Sequence, residues 1–325
     1  MILIPPPEWA PHEAVWIGFP SHPELWEDEL AAAQAEVAAF AQGIHADGAG
    51  EKVWLVAADA AAAATKAREL APFAEVIVEP FGDIWLRDTG AIVCGTGAGR
   101  RAQGFGFNGW GGKYELEGDE GIGERLSRAA ALPFARADWV LEGGAVEGDG
   151  TGLFVTTEQC LLNPNRNPGF DRDEVERRLA RDLGATRVVW LGDGLANDHT
   201  DGHVDNLARF VAPGRVAIPE AVEDDPNASA YADAAEALLD AELEVVAIPS
   251  PGAVEREGRL VPASYMNFYI GNAVVVVPQY GVPNDSAALE ALQDIFPDRH
   301  VIGLRADHVL TGGGSFHCLS QQVPR

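Results

Sequence analysis

Residues 171–219 read DRDEVERRLARDLGATRVVWLGDGLANDHTDGHVDNLARFVAPGRVAIP, and the order of elements in them decides the fold. An amphipathic helix from Asp171 to Leu183 is followed by a short apolar strand, Arg187 to Leu191, and by a polar cluster from Asn197 to Asn206. Strands Leu207 to Val211 and Arg215 to Pro219 then flank the turn Ala212-Pro213-Gly214. The next stretch repeats this order. A helix from Ser229 to Ala241 precedes strand Glu244 to Pro249, the polar Ser264 to Asn267, and the pair FYI and AVVVVP joined at Gly271-Asn272, a dipeptide suited to a tight hairpin. A third copy runs from helix Ser286 to Phe296 through Val301 to Leu304 into Gly312 to Cys318. Two earlier copies place a helix at Ala58 to Leu70 before EVIVEP and the cluster Asp83 to Gly90, and a helix at Gly121 to Ala131 before Glu142 to Gly144.

The polar anchors of these copies, Asp88, Glu142, Asp205, Asn267 and Cys318, are separated by 54, 63, 62 and 51 residues, which suggests five quasi-equivalent units. Repeats of such a period point to a radial or stacked α/β architecture. In a closed ring each unit would aim its polar cluster at the axis, and the N-terminal strand Ala14 to Phe19 would complete the last unit. An ordinary α/β sheet would also alternate helix and strand.

The 325 residues fit one or two domains by length, and no low-complexity linker divides them, so a single domain over 1–325 is expected. Hydrophobic residues at 47% and charged residues at 22% are enough for a substantial core. The opening MILIPPPEWAPHEAVW lacks the features of a signal peptide, and the longest apolar run, Ala273 to Pro278, is too short to span a bilayer, so a cytoplasmic protein is expected. Cys94, Cys160 and Cys318 stand singly without CxxC spacing, which argues against a disulfide framework or zinc ribbon. With 23 basic and 50 acidic residues the net charge is −27, a field that repels nucleic acid and anionic membranes and favours a cationic ligand. Surface acidity that only serves solubility would give the same excess.

Cys318 lies in TGGGSFHCLSQQ, where three glycines permit positive φ and close backbone approach. A lone cysteine is more often a small buried hydrophobe than a nucleophile, so position alone leaves both open. His317 beside it would point away from Cys318 if the segment were a strand, and reads as structural. HTDGHVDN places His203 and Asp205 at i and i+2, on one face of a strand, as a proton carrier with a cation-binding carboxylate or as a divalent metal pair. No evident third histidine or HExxH helix supports the metal. In FGDIWLRDTG, Trp85 offers an apolar or cation-π wall and Asp88 a carboxylate, although a surface Arg87–Asp88 pair at a turn explains the same letters. Glu142 in LEGGAVEGDG falls at a strand end. No Walker motif, GxGxxG after a strand or GxSxG elbow is present.

The ordered motifs PEWAPHEAVWIGFP, DIWLRDTG, FNGWGGKY, LEGGAVEGDG, TTEQCLLNPNRNP, DGHVDNLARF, SYMNFYI and GGGSFHCLSQQ span nearly the whole chain, which with them resembles the agmatine deiminase and bacterial-type peptidylarginine deiminase family of the guanidine-modifying superfamily. The resemblance implies a five-bladed α/β propeller with pseudo-fivefold units. It implies Cys318 as nucleophile, His203 as proton carrier, Glu142 as the acidic partner of His203, and Asp88 and Asp205 as carboxylates that bind guanidinium nitrogens. Trp85 is then a pocket wall and Asn267 a polar site residue. The implied reaction converts agmatine to N-carbamoylputrescine and ammonia through an amidino-cysteine intermediate, with no metal or organic cofactor. Free or protein-bound arginine is the alternative substrate, since SFHC stands where Asn-Ile more usually precedes His-Cys and Ala91 where Pro is common. A polyamine-binding protein without catalysis is the alternative of another class. The expected partner is a small cationic guanidine, not nucleic acid or membrane, with a homodimer as one assembly open to the chain.

Overall fold

The computed structural model describes residues 4–58, 61–256 and 258–325. Asp171 caps the helix Arg172–Leu183 by accepting the N–H of Glu174 at 2.9 Å, and Val175, Leu179 and Leu183 bury one stripe of it. Gly184, at φ 72°, ends the helix in the left-handed conformation. Strand Arg187–Leu191 follows and lies parallel to Leu153–Thr157. The next hairpin, Arg209–Ala212 with Arg215–Glu220, turns through Pro213 and Gly214.

Five sheets among the described residues share one order: a first strand antiparallel to a second, and a third strand parallel to the second and reached through a helix, as a parallel neighbour requires. They are Ile92–Cys94, Arg101–Gly106 and Phe134–Val140; Val146–Gly148, Leu153–Thr157 and Arg187–Leu191; Arg209–Ala212, Arg215–Glu220 and Glu244–Pro249; and Tyr269–Ile270, Val274–Gln279 and His300–Arg305. The fifth takes its first strand from the far end of the chain. Ser320–Pro324 runs antiparallel to His12–Phe19, which pairs parallel with Lys52–Ala57, and Glu75–Val78 adds a further parallel strand. The expected role of the N-terminal strand as partner to the last unit is thus met. The helix expected from Ala58 is described from Ala61 to Leu70; residues 59 and 60 lie outside the described residues.

The five anchors occupy five equivalent links, each running from the final strand of one sheet to the first strand of the next. Asp88 sits in the helical turn Leu86–Thr89, Glu142 just before the turn Gly143–Ala145, Asp205 in Val204–Asn206, Asn267 in Tyr265–Asn267, and Cys318 between the helix Asp307–Thr311 and strand Ser320–Pro324. The strand expected across His203 and Asp205 is instead a 3-10 turn. Local side-chain bonds compete with a ladder here: Asp198 Oδ1 accepts from the N–H and hydroxyl of Thr200, and Thr200 Oγ1 accepts the N–H of His203 at 3.1 Å. Nor is Cys318 on a strand, so the alternation argument for His317 does not apply. Behind the Cys318 link, Phe316 stacks on Phe40 of the helix Leu30–His45, with ring centroids 4.6 Å apart. Among the described residues no helix is long and apolar enough to cross a membrane.

Candidate active site

The five links bring their side chains together. Cys318 is 5% exposed, and its Sγ lies 2.9 Å from Asn267 Nδ2, which donates to it, and 3.5 Å from Asp205 Oδ2. Asn267 also accepts the backbone N–H groups of His317 and Cys318 on its Oδ1, at 3.0 and 3.2 Å. It therefore fixes both the backbone and the sulfur of the nucleophile candidate. The glycine run supplies the room: Gly313 is at φ +99°, and a Cβ on Gly314 would stand 2.6 Å from the Trp85 ring and 3.0 Å from Cys318 Cβ.

Asp88 uses both oxygens, Oδ1 accepting the N–H of Gly144 at 3.0 Å and Oδ2 the indole N–H of Trp110 at 2.9 Å. Burial, reinforced by Asp205 and Glu142 and opposed by His203 and Trp110, raises its pKa to about 6. Asp205 differs. Burial works against its charge too, but a 2.7 Å bond from His317 Nδ1, with His203 and Arg209 nearby, holds its pKa below the usual range. Its Oδ1 is buried without a partner, a free acceptor next to Cys318. Burial and the Asp205 and Asp88 charges push the Cys318 thiol well above its usual range, so an entering cation is needed to favour thiolate.

His203 is fully buried, with Nδ1 3.6 Å from Asp88 Oδ1, and neither ring nitrogen has a hydrogen-bond partner. Burial opposes its charge, yet Asp88, Cys160 and Glu142 outweigh burial and keep it protonated well above the usual histidine range. Glu142 Oε1 is held by Arg166 Nε at 2.7 Å, while its Oε2 has no partner. Ligand-type atoms of Glu142, Cys160 and His203 lie within 4.8 Å of one another, the only such trio among the described residues, so the metal pairing considered for His203 with Asp205 is not the arrangement found.

The surface Arg87–Asp88 pair is not found either. Arg87 is buried and reaches Glu8 and the carbonyl of His317. His317 is buried beside Cys318 rather than pointing away: it donates to Asp205 through Nδ1 and, at 2.8 Å, meets Glu8 Oε2 through Nε2. Glu8, Arg209 and Arg166 went unread in the sequence. Arg209 carried a signal, being a lone cation on the same strand face as Leu207 and Val211, whereas Arg166 in NPNRNP has the look of an exposed loop residue.

A cavity of about 230 Å³ opens onto this centre, lined among others by Trp85, Trp110, Tyr114, Asp83, Asp88 and Cys318. His203, Glu142, Asp205 and Asn267 are buried and not among the residues that line it. Gly144 marks the point of convergence, since an added Cβ would stand 2.7 Å from His203 Nδ1, 2.8 Å from Asp88 Oδ1 and 3.2 Å from Asp205 Oδ2. Gly144→Ala is expected to displace these groups and lower kcat about 10²-fold, the scale of an ångström misplacement. Steady-state kinetics beside an unfolding curve checks this, and wild-type turnover by a folded variant would contradict it.

Such a centre, with a buried thiol, an imidazole and converging carboxylates, can hold a planar cation over sulfur and move protons beside it. The sequence model of the Porphyromonas-type peptidyl-arginine deiminase family matches residues 4–324. An agmatine deiminase of Stutzerimonas stutzeri is 36% identical, over 98% of this chain and 95% of its own length. Among solved structures, the agmatine deiminase of Enterococcus faecalis has a TM-score of 0.93 at 32% identity, covering 99% of this chain and 96% of its own. A C. jejuni agmatine deiminase with substrate bound, a Cys-to-Ser variant, has a TM-score of 0.90 at 27% identity, covering 100% and 97%.

Proposed function

The chain belongs to the Porphyromonas-type peptidyl-arginine deiminase family, and on that premise we propose that it is an agmatine deiminase, hydrolysing agmatine to N-carbamoylputrescine and ammonia. The observation that carries the reading is the convergence of Asp88, Asp205 and His203 on Gly144, with Cys318 Sγ 3.5 Å from Asp205, Glu142 within 4.8 Å of His203, and one small cavity reaching Asp88 and Cys318.

A guanidinium is planar, permanently charged and a poor electrophile in water. Asp88 and the free Oδ1 of Asp205 accept its N–H groups and orient its carbon over Cys318 Sγ. As this charge enters, the thiol, whose S–H is directed at Asp205, gives up its proton to solvent, and the donor Nδ2 of Asn267 stabilises the thiolate. Sulfur bonds to the guanidinium carbon, His203 gives its proton to the departing nitrogen, and the C–N bond breaks to leave ammonia and an amidino-cysteine. Water then gives a proton to His203, held beside Glu142, and its oxygen adds to the same carbon. The C–S bond breaks as the added hydroxyl passes its proton to the departing sulfur, releasing the ureido product and restoring the thiol. None of these steps calls on a metal or organic cofactor.

In this reading the five like sheets are the blades of one pseudo-fivefold propeller, a single domain over 1–325, with the joined chain ends as its closure. The three free, buried cysteines suit a reducing compartment, and we assign the cytoplasm. Light scattering tests the homodimer. Mass spectrometry of the protein with agmatine is expected to show an amidine adduct on Cys318 and N-carbamoylputrescine in solution. No product from agmatine, arginine or arginyl peptides would sink the proposal.

The pH profile follows from Asp88. Its pKa of about 6 means that the carboxylate is lost on acidification through that value, and a protonated carboxyl no longer accepts two guanidinium hydrogens. The kcat/KM for agmatine is therefore expected to fall on the acid side of about pH 6, by roughly tenfold per unit. A flat profile from pH 7 to 5 counts against the role of Asp88.

A further inference from the structure

The cavity that reaches Cys318 carries a second carboxylate that the steps above leave unused. Asp83 lines it together with Asp88 and Cys318. Its side chain is fixed, with Oδ1 accepting the N–H of Ile84 and Oδ2 the indole N–H of Trp85, each at 2.8 Å. Trp85 is itself packed against Gly312, Gly314 and Trp26. The backbone beneath is fixed as well: Asp119 Oδ1 accepts the N–H of Gly82 at 2.7 Å and that of Asp83 at 3.3 Å. Asp119 is 1% exposed, its Oδ2 is buried beside Gly82 with no partner, and burial, opposed by the Gly82 and Asp83 N–H groups, raises its pKa to about 7, so its part here is to hold the backbone under Asp83.

Burial raises the pKa of Asp83 to about 6, against the bonds from Ile84 and Trp85, so at neutral pH it is an ionised and poorly hydrated acceptor. No lysine or arginine lines the cavity among the described residues. Trp85, Trp110 and Tyr114 instead give it aromatic faces, suited to a chain of methylenes and to a cation. A guanidine whose far end is an ammonium meets a matched charge, and one whose far end bears a carboxylate meets a like charge with no lysine or arginine to offset it, His199 being the one basic side chain in the lining among the described residues.

We infer that Asp83 is a specificity-determining residue that receives the distal ammonium of a guanidinoalkylamine, so that the site selects a dication over a monocationic or zwitterionic guanidine. The assignment rests on the deiminase reading above. It adds to that reading a second charge contact, at the opposite end of the substrate from the sulfur.

The test compares agmatine with pentylguanidine, in which a methyl replaces the ammonium, on the wild-type protein and on Asp83→Asn. The wild type should prefer agmatine in kcat/KM by about 10- to 100-fold, the worth of one charge-assisted contact. In Asp83→Asn that ratio should collapse toward one, chiefly through KM for agmatine. Equal losses on both substrates would give Asp83 a structural role and overturn the inference, as would a wild type that does not prefer agmatine, which needs no variant to fold. Turnover of agmatine with an unchanged ratio overturns only this inference. Absence of turnover on every guanidine sinks the deiminase reading first.

Discussion

Cys318→Ser is expected to abolish deimination, lowering kcat by at least about 10⁴-fold, as loss of a covalent nucleophile does elsewhere. Burial and two nearby carboxylates already hold the thiol well above its usual range, so in the proposed reaction the native sulfur depends on the entering guanidinium to ionise. A hydroxyl, intrinsically a far weaker acid, gains the same help and stays protonated. Little else changes. Serine keeps the backbone N–H that Asn267 Oδ1 accepts, a hydroxyl can take the Nδ2 contact, and Asp88 and Asp205 are untouched. The variant should therefore still bind agmatine, giving a calorimetric titration without ammonia release and without an adduct in the mass spectrum. Residual turnover above about 1% of wild type would remove sulfur from the mechanism.

Arg209→Met should have the largest effect on stability, about 3–5 kcal/mol, the scale of breaking a buried ion pair from one side. Arg209 is wholly buried, donates to Glu8 Oε2 at 2.8 Å and to the carbonyls of Met266 and Phe268 at 3.0 and 2.7 Å, and lies 3.2 Å from Glu147 Oε1. Its guanidinium also stacks on Phe268, 4.7 Å from the ring centroid. Methionine fills much of the volume but strands two carboxylates. A domain has only about 5–15 kcal/mol in hand, so the chemical denaturation midpoint should drop by a large fraction. The sign with pH is also fixed. Burial disfavours the Glu8 charge, yet Arg209, His317 and Arg87 hold its pKa well below the usual range. Its stabilising contribution is therefore complete above the ordinary carboxylate pKa and fades as pH falls toward the depressed one. Arg209→Met should lose stability mainly at neutral pH, so that wild type and variant converge on acidification. A constant gap across that range would place the effect in packing alone.

Much of this centre was legible in the sequence because it is built by repetition. Strands Arg187–Leu191 and Glu244–Pro249 begin and end where their apolar runs do, and the even spacing of Asp88, Glu142, Asp205, Asn267 and Cys318 reflects one link per sheet. What the letters hid is pairing across distance. Glu8 and Arg209 are 201 residues apart, and neither has a neighbour in sequence that foretells the other. Arg166 lies in a loop of asparagines and prolines, a composition that reads as exposed, yet its side chain is buried against Glu142. The turn at His203–Asp205 was misread as a strand because side chain to backbone bonds from Asp198 and Thr200, rather than periodicity, set its shape.

The bond between Glu8 and His317 spans 309 residues, and His317 in turn holds Asp205 toward Cys318. A ribosome makes Glu8 among the first residues and the sulfur among the last of this stretch. The carboxylates and His203 are thus already synthesised when the thiol emerges, and Ser320–Pro324 must still reach the tunnel exit to pair with His12–Phe19. A polypeptide ended before residue 318 carries the proposed guanidinium acceptors without the proposed nucleophile.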